Sequence, residues 1–372
     1  MKINCLSPYF VKFTDQGLDS VLLDLYIYTG TKTTNRPVTP TYTLKTLAIN
    51  GSVQIEISEF VRDVFEPETF STSDKTVWVD YDLKTVINDS QPTSQGIVQL
   101  DGFYGYGYFD EGVNPNLPKA ILINGNYLTG YNDKTPFIPI NTSLVNTITF
   151  VDSQGNILLT DDVVEGTTTQ TLVRYISFLD YRADGYESRV YNTGGTLEGS
   201  PCLDNLLCSD NLVKTKKIYV DTDAGVEVLY IEDGHVETFK PVDIEFINKF
   251  GVLQGLTFFG ATKTSYNASK EYYDKSIISN GSYSNRKHTK KVLSSSAIES
   301  FTLSSGYYKE SYNQFFKELI QSDYIWLTNN NGEYKPIVID TKTIQLKTQI
   351  NDKLISYDIN FSYANNQINN IR

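Results

Sequence analysis

Histidine, cysteine and methionine are scarce in this chain, and each shortage closes off a class of chemistry. Among 372 residues there are two histidines, three cysteines, one methionine and two tryptophans. Two histidines leave a Ser-His-Asp or Cys-His site few candidate bases. His235 lies in EDGHVE, which reads as an exposed hairpin-like turn, and His288 lies in the basic run RKHTKK. Neither adjoins a nucleophile-elbow pattern, so the sequence supports no histidine-dependent enzyme.

Cys5, Cys202 and Cys208 are too few, and odd in number, for a disulfide framework. Cys202 and Cys208 are also too far apart for a CxxC redox or zinc knuckle, and all three read as free thiols kept in a reducing cytoplasm. The opening stretch MKINCLSPYFVKFTD lacks the apolar run of about 7–15 residues that a secretory signal needs. No window approaches the ~20 apolar residues of a membrane span. Phosphate-binding P-loops are absent. Gly102, Gly105 and Gly107 lack the strand-before, helix-after context of a dinucleotide fingerprint.

What the chain has instead is aromatic surface and negative charge. It carries 27 Tyr and 19 Phe, and a net charge of −12. Hydrophobic residues make up 40% and charged residues 20%, enough apolar content for real cores. An acidic surface disfavours nucleic acid and anionic lipid, and it favours solubility at high copy number. This composition suits a protein that builds surfaces more than one that moves protons.

Strand patterns dominate. Val21–Tyr28, Ser52–Ile57, Val77–Tyr81, Lys119–Ile123, Thr147–Val151 and Asn156–Thr160 read as strands in the first half. Ser58–Phe65 has helical spacing behind a serine cap, and Pro67 stops it. The polar stretch Asp161–Thr171 suggests a domain boundary near residue 165, giving domains 1–165 and 166–372. Beyond it, Leu172–Leu179, Lys216–Val220, Val226–Ile231, Val242–Phe246 and Leu256–Phe259 read as strands. Tyr266–Ser284 reads as a polar loop or exposed arm. Glu310–Ser322 is a helix with the apolar stripe Tyr312, Phe315, Phe316, Leu319 and Ile320. Tyr334–Asp340, Lys342–Thr348 and Lys353–Tyr363 follow as strands, before an Asn-rich tail. The expected fold class is mainly β, with antiparallel β-sandwich-like domains and one helix near 310–322 packed on the C-terminal sheet.

Three segments are candidate sites. DGFYGYGYFDEG, residues 101–112, holds Phe103, Tyr104, Tyr106, Tyr108 and Phe109 among glycines, bracketed by Asp101, Asp110 and Glu111. Its rings suit a subunit contact, or stacking on host glycan, and its carboxylates allow a glycoside hydrolase as a further alternative. Arg286, Lys287, Lys290 and Lys291 form a basic run in an acidic chain, which reads as a docking patch for an acidic neighbouring subunit, as an approach to packaged DNA, or as a solvated loop. Asp221–Gly225 faintly resembles a calcium loop but lacks its later glutamate, and a tight hairpin fits better. No metal, cofactor or catalytic residue is expected.

Three blocks carry a family resemblance. LDLYIYTGTKTTNRPVTPTYTL with SVQIEISEFVRDVF, PVDIEFINKFGVLQGLTFFG, and YKPIVIDTKTIQLKTQINDKLISYDINFSYAN resemble virion-associated proteins of tailed bacteriophages and cover about a quarter of the chain. The resemblance implies a structural part of the tail, neck or baseplate, located in the virion and assembled in the host cytoplasm. It implies homo-oligomeric contacts and neighbouring virion proteins as partners, with a receptor-binding module for host glycan as the alternative. These blocks are packing motifs and carry no catalytic residues.

Overall fold

The computed structural model describes residues 2–30, 32, 35–70, 77–88, 90–116, 118–130, 137–162, 173–176, 181–182, 190–191, 197–198, 212–213, 215–233, 239–328, 333–348 and 353–365. The protein is mainly β, with 54% of its described residues in strands against 8% in helices. It forms antiparallel, β-sandwich-like domains with one helix near the C-terminus. Two compact units are distinguishable. The first comprises Met1–Gly234 and Phe246–Gly255, and the second His235–Glu245 and Leu256–Arg372. The boundary expected near residue 165 falls within 163–172, outside the described residues. Cys202, Cys208, His235 and the tail from residue 366 also lie outside them.

In the first unit the strand Leu18–Thr29 pairs with Tyr42–Leu47 on one side and Val77–Ile87 on the other. Thr93–Phe103 and then Lys2–Asn4 complete this five-stranded sheet. All its pairs are antiparallel except Lys2–Asn4 with Thr93–Phe103. Val21, Leu23, Leu25 and Ile27 alternate along the central strand and are buried, as a period of two dictates. Its other face also packs. There Asp24 is buried, held by Lys84 at 2.5 Å and by the Thr43 hydroxyl at 2.7 Å. A buried carboxylate persists only with such partners. A second five-stranded sheet runs Ile157–Asp162, Thr147–Val151, Lys217–Thr222, Gly225–Asp233, Tyr127–Gly130, and buries Ile148, Phe150, Ile218, Val220 and Leu229.

A seven-stranded sheet, most of whose residues belong to the second unit, has the order Leu253–Phe258, Val242–Ile247, Ile325–Thr328, Tyr334–Ile339, Asp358–Tyr363, Lys290–Ser304, Thr262–Asp274. The helix Asn313–Gln321 packs on this sheet after a 3-10 turn at Glu310–Tyr312. Phe316 is fully buried, with ring centroids 6.3 Å from Phe258, 5.7 Å from Tyr308 and 5.0 Å from Tyr357.

Some expected elements differ. The short helix covers only Ser58–Arg62, and Ser58 does not cap it: its hydroxyl and amide both donate to Glu56 Oε1. Lys119–Ile123 is not a strand, apart from a single bridge between Ile121 and Ile140. The amides of Ala120 and Ile121 donate to the Glu227 carboxylate instead of a neighbouring strand. Lys342–Thr348 is irregular, because side chains meet its backbone: Lys347 donates its amide to the Tyr357 hydroxyl, and its carbonyl accepts from Asn313 Nδ2. Asp221–Gly225 forms a tight hairpin turn, with Asp221 accepting from the Thr147 hydroxyl and Asp223 from Asn146 Nδ2. Among the described residues no helix is long and apolar enough to cross a membrane.

Candidate interaction surface

The aromatic run at 103–109 divides between core and surface. Phe103 ends its strand and is buried, and Tyr104 is buried against Phe65 and Phe70 at 5.7 and 5.9 Å between ring centroids. Tyr106 and Tyr108 are half-buried and meet edge-on at 5.7 Å. Only Phe109 stands free in solvent, on the 3-10 turn Phe109–Glu111. The five rings considered for a subunit contact or for glycan stacking are therefore not all exposed together. The reason lies in the turn at 248–252, which folds against this run.

Asn248 anchors that turn. Its side-chain amide donates to the Leu122 carbonyl at 2.8 Å and to Gln254 Oε1 at 2.9 Å, while its Oδ1 accepts from the Phe250 amide at 2.9 Å. Gly251 has φ +77°, and a Cβ there would come within 2.4 Å of the Tyr104 carbonyl carbon, so only glycine fits. Lys249, 6% exposed, lies 4.3 Å from the centre of the Tyr108 ring and forms an ion pair with Glu111. Lys2 sits over Phe103 at 4.8 Å and Phe250 at 5.4 Å. Burial, followed by the Lys249 charge, lowers its ammonium to about 8. The segment singled out for surface chemistry thus serves mainly as an internal latch. Asp101 pairs with Lys32 at 3.3 Å, and Asp110 is exposed.

The basic run has a different setting. Arg286, Lys287, Lys290 and Lys291 are exposed at the end of a long hairpin arm. Its strands, Thr262–Asp274 and Lys290–Ser304, pair antiparallel from Thr262 with Leu303 to Asp274 with Lys290. The register shifts between Glu271 and Tyr272, so that Tyr272 faces Val292. Asp358–Tyr363 supports the arm only at its root, along Ser300–Ser304. From Tyr266 outward, among the described residues, the arm is a two-stranded ribbon, which extends about 25–30 Å at the usual rise per residue.

The loop 275–289 closes the arm. It turns back at Asn280 and Gly281, whose φ angles are +52° and +71°. Ser279 and Ser282 exchange backbone hydrogen bonds across them. Asn-Gly suits this two-residue turn because both central residues need positive φ. Lys275 donates its amide to the Thr289 carbonyl at 2.7 Å.

Every residue of Thr262–Asp274 is exposed. Large apolar and aromatic side chains project from both strands and the tip: Tyr266 at 57% exposure, Tyr272 at 56%, Ile278 at 68%, Tyr283 at 67% and Leu293 at 56%. The sequence reads Tyr266–Ser284 as a polar loop or an exposed arm; the structure has an exposed arm made of two strands, Thr262–Asp274 and Lys290–Ser304, neither of which the sequence reading includes. The available signal was the Asn280-Gly281 pair between a segment containing Thr and Tyr and one containing Val, Ile and Phe. Serine runs and the lysines obscured its periodicity.

No protein-family model matches the chain, and no curated protein matches it.

Proposed function

We propose that this chain is a structural subunit of a tailed-bacteriophage particle, a ring or adaptor component of the tail, neck or baseplate that works by assembly and not by catalysis. The observation that carries this reading is the hairpin arm. A two-stranded ribbon is marginal in water by itself. A long one with open edges and exposed tyrosines is a template for pairing with another chain. Tyrosine-rich surface is also typical of the buried centre of a protein interface. The three sequence blocks that resemble virion-associated proteins supply the particle context, and the acidic, aromatic-rich composition suits a part made in many copies.

Two measurements test the reading. Light scattering on the purified protein over a range of concentrations is expected to give masses well above the 42.0 kDa of one chain. Mass spectrometry of purified particles from the encoding phage is expected to find the chain as a stoichiometric component. A chain absent from the particles would sink the virion reading, and a monomer at every concentration would sink self-assembly.

A further inference from the structure

The arm carries charge opposite in sign to the rest of its chain. Between residues 270 and 291, Lys270, Lys275, Arg286, Lys287, Lys290 and Lys291 stand against Glu271 and Asp274, a net charge of +4. The whole chain is −12, so the remaining residues sum to −16. All six cations are exposed. They share the ribbon with Tyr272, Ile278, Tyr283 and Leu293, whose side chains are more than half exposed.

We infer that the arm is a docking element that lies against the acidic surface of a second copy of this chain. Charge decides between the two possible self-contacts. Two arms side by side would bring +4 against +4 and repel, whereas an arm against another copy's body brings +4 against a surface that is strongly negative overall. Charge complementarity of this kind steers encounter and fixes orientation, and the tyrosines and aliphatic side chains supply the area that is removed from water. The ribbon's open edges offer backbone donors and acceptors for strand pairing with the receiving copy.

An arm-to-body contact joins two different surfaces. Repeated, it closes into a ring or runs on as a filament, unlike a two-fold contact, which stops at a dimer. The inference rests on the proposed role as an assembling subunit and adds which surface makes the contact.

The test uses two variants of the full chain. One carries Arg286→Glu, Lys287→Glu, Lys290→Glu and Lys291→Glu. In the other, residues 271–294 are replaced by Asn-Gly, closing the ribbon between Lys270 and Ser295 without reversing charge. An unchanged melting temperature confirms the fold of each, and the shortened variant decides if the charge-reversed one is destabilised. Light scattering is expected to show wild-type assemblies that lose mass as salt shortens the screening length from about 10 Å at 0.1 M to about 3 Å at 1 M. Both variants are expected to remain monomeric. Added to wild type, either variant is expected to lower the mean assembly mass, because it still offers an acceptor surface but has no arm to continue the chain. Variants that assemble as wild type does would overturn the inference and leave the assembling-subunit reading intact. Variants that neither assemble nor join wild type would indicate arm-to-arm contact and overturn it too. A monomeric wild type would overturn both.

Discussion

Tyr334 donates its hydroxyl to Glu245 Oε1 at 3.4 Å, and Glu245 is only 8% exposed. Glu245 Oε2 has no hydrogen-bond partner among the described residues. Burial pushes the Glu245 carboxyl up to about 7, the Asp243 charge adds to this, and the Tyr334 hydrogen bond works the other way. Burial, followed by the Glu245 charge, raises the Tyr334 hydroxyl as well.

This pair gives stability a definite pH dependence. The folded protein holds the Glu245 proton more tightly than the unfolded chain, whose value is near 4.5. Below about 4.5 both states are protonated, and the protonated carboxyl costs the fold little. As pH rises through the window from 4.5 to about 7, the unfolded chain releases its proton first, and stability falls. The loss is of the order of 3 kcal/mol by linkage. Glu245→Gln is expected to remove this slope. The check is the difference between wild-type and variant unfolding free energies by urea titration at pH 4.5, 6 and 8. A difference constant across pH would refute it.

Lys249 and Glu111 lie 138 positions apart in the chain and form an ion pair whose lysine side chain is 7% exposed. Lys249→Met leaves Glu111 beside an apolar side chain, and a cost of about 3 kcal/mol is expected, typical of breaking a largely buried pair from one side. Glu111→Gln in the same chain is expected to recover part of that loss, since the carboxylate charge that lost the Lys249 ammonium is then removed. A double-mutant cycle read by thermal unfolding measures the coupling. Strictly additive single effects would mean the pair contributes no interaction of its own.

Phe316 is the keystone of the helix on the seven-stranded sheet, with no exposed surface. Phe316→Ala is expected to cost about 3–5 kcal/mol, and Phe316→Leu clearly less, because leucine refills most of the cavity. Far-ultraviolet and near-ultraviolet circular dichroism during denaturation separate loss of the helix from loss of aromatic packing. Equal costs for the two substitutions would mean that the site does not depend on filling that volume.

The sequence determined the elements whose signal is local. Val21, Leu23 and Leu25 alternate, and they form the buried face of a strand. Tyr312, Phe315, Phe316 and Leu319 fall on one helical stripe, and all four are buried. Asn280-Gly281 marks a tight turn because few other residues tolerate two positive φ angles in succession. The mainly β class follows from such patterns alone. Tertiary structure alone decided which of several similar residues are used, and where. Phe103, Tyr104 and Phe109 look alike in the sequence, yet the first two are buried and the third is fully exposed, because burial depends on the distant turn at 248–252. Lys342–Thr348 has the composition of a strand, but Tyr357 and Asn313 take up hydrogen-bonding groups of Lys347. The basic run Arg286–Lys291 reads equally well as a solvated loop. Pairing of Thr262–Asp274 with Lys290–Ser304 lifts it to the end of an arm, and strand pairing depends on which segments meet in space, not on the residues within either one.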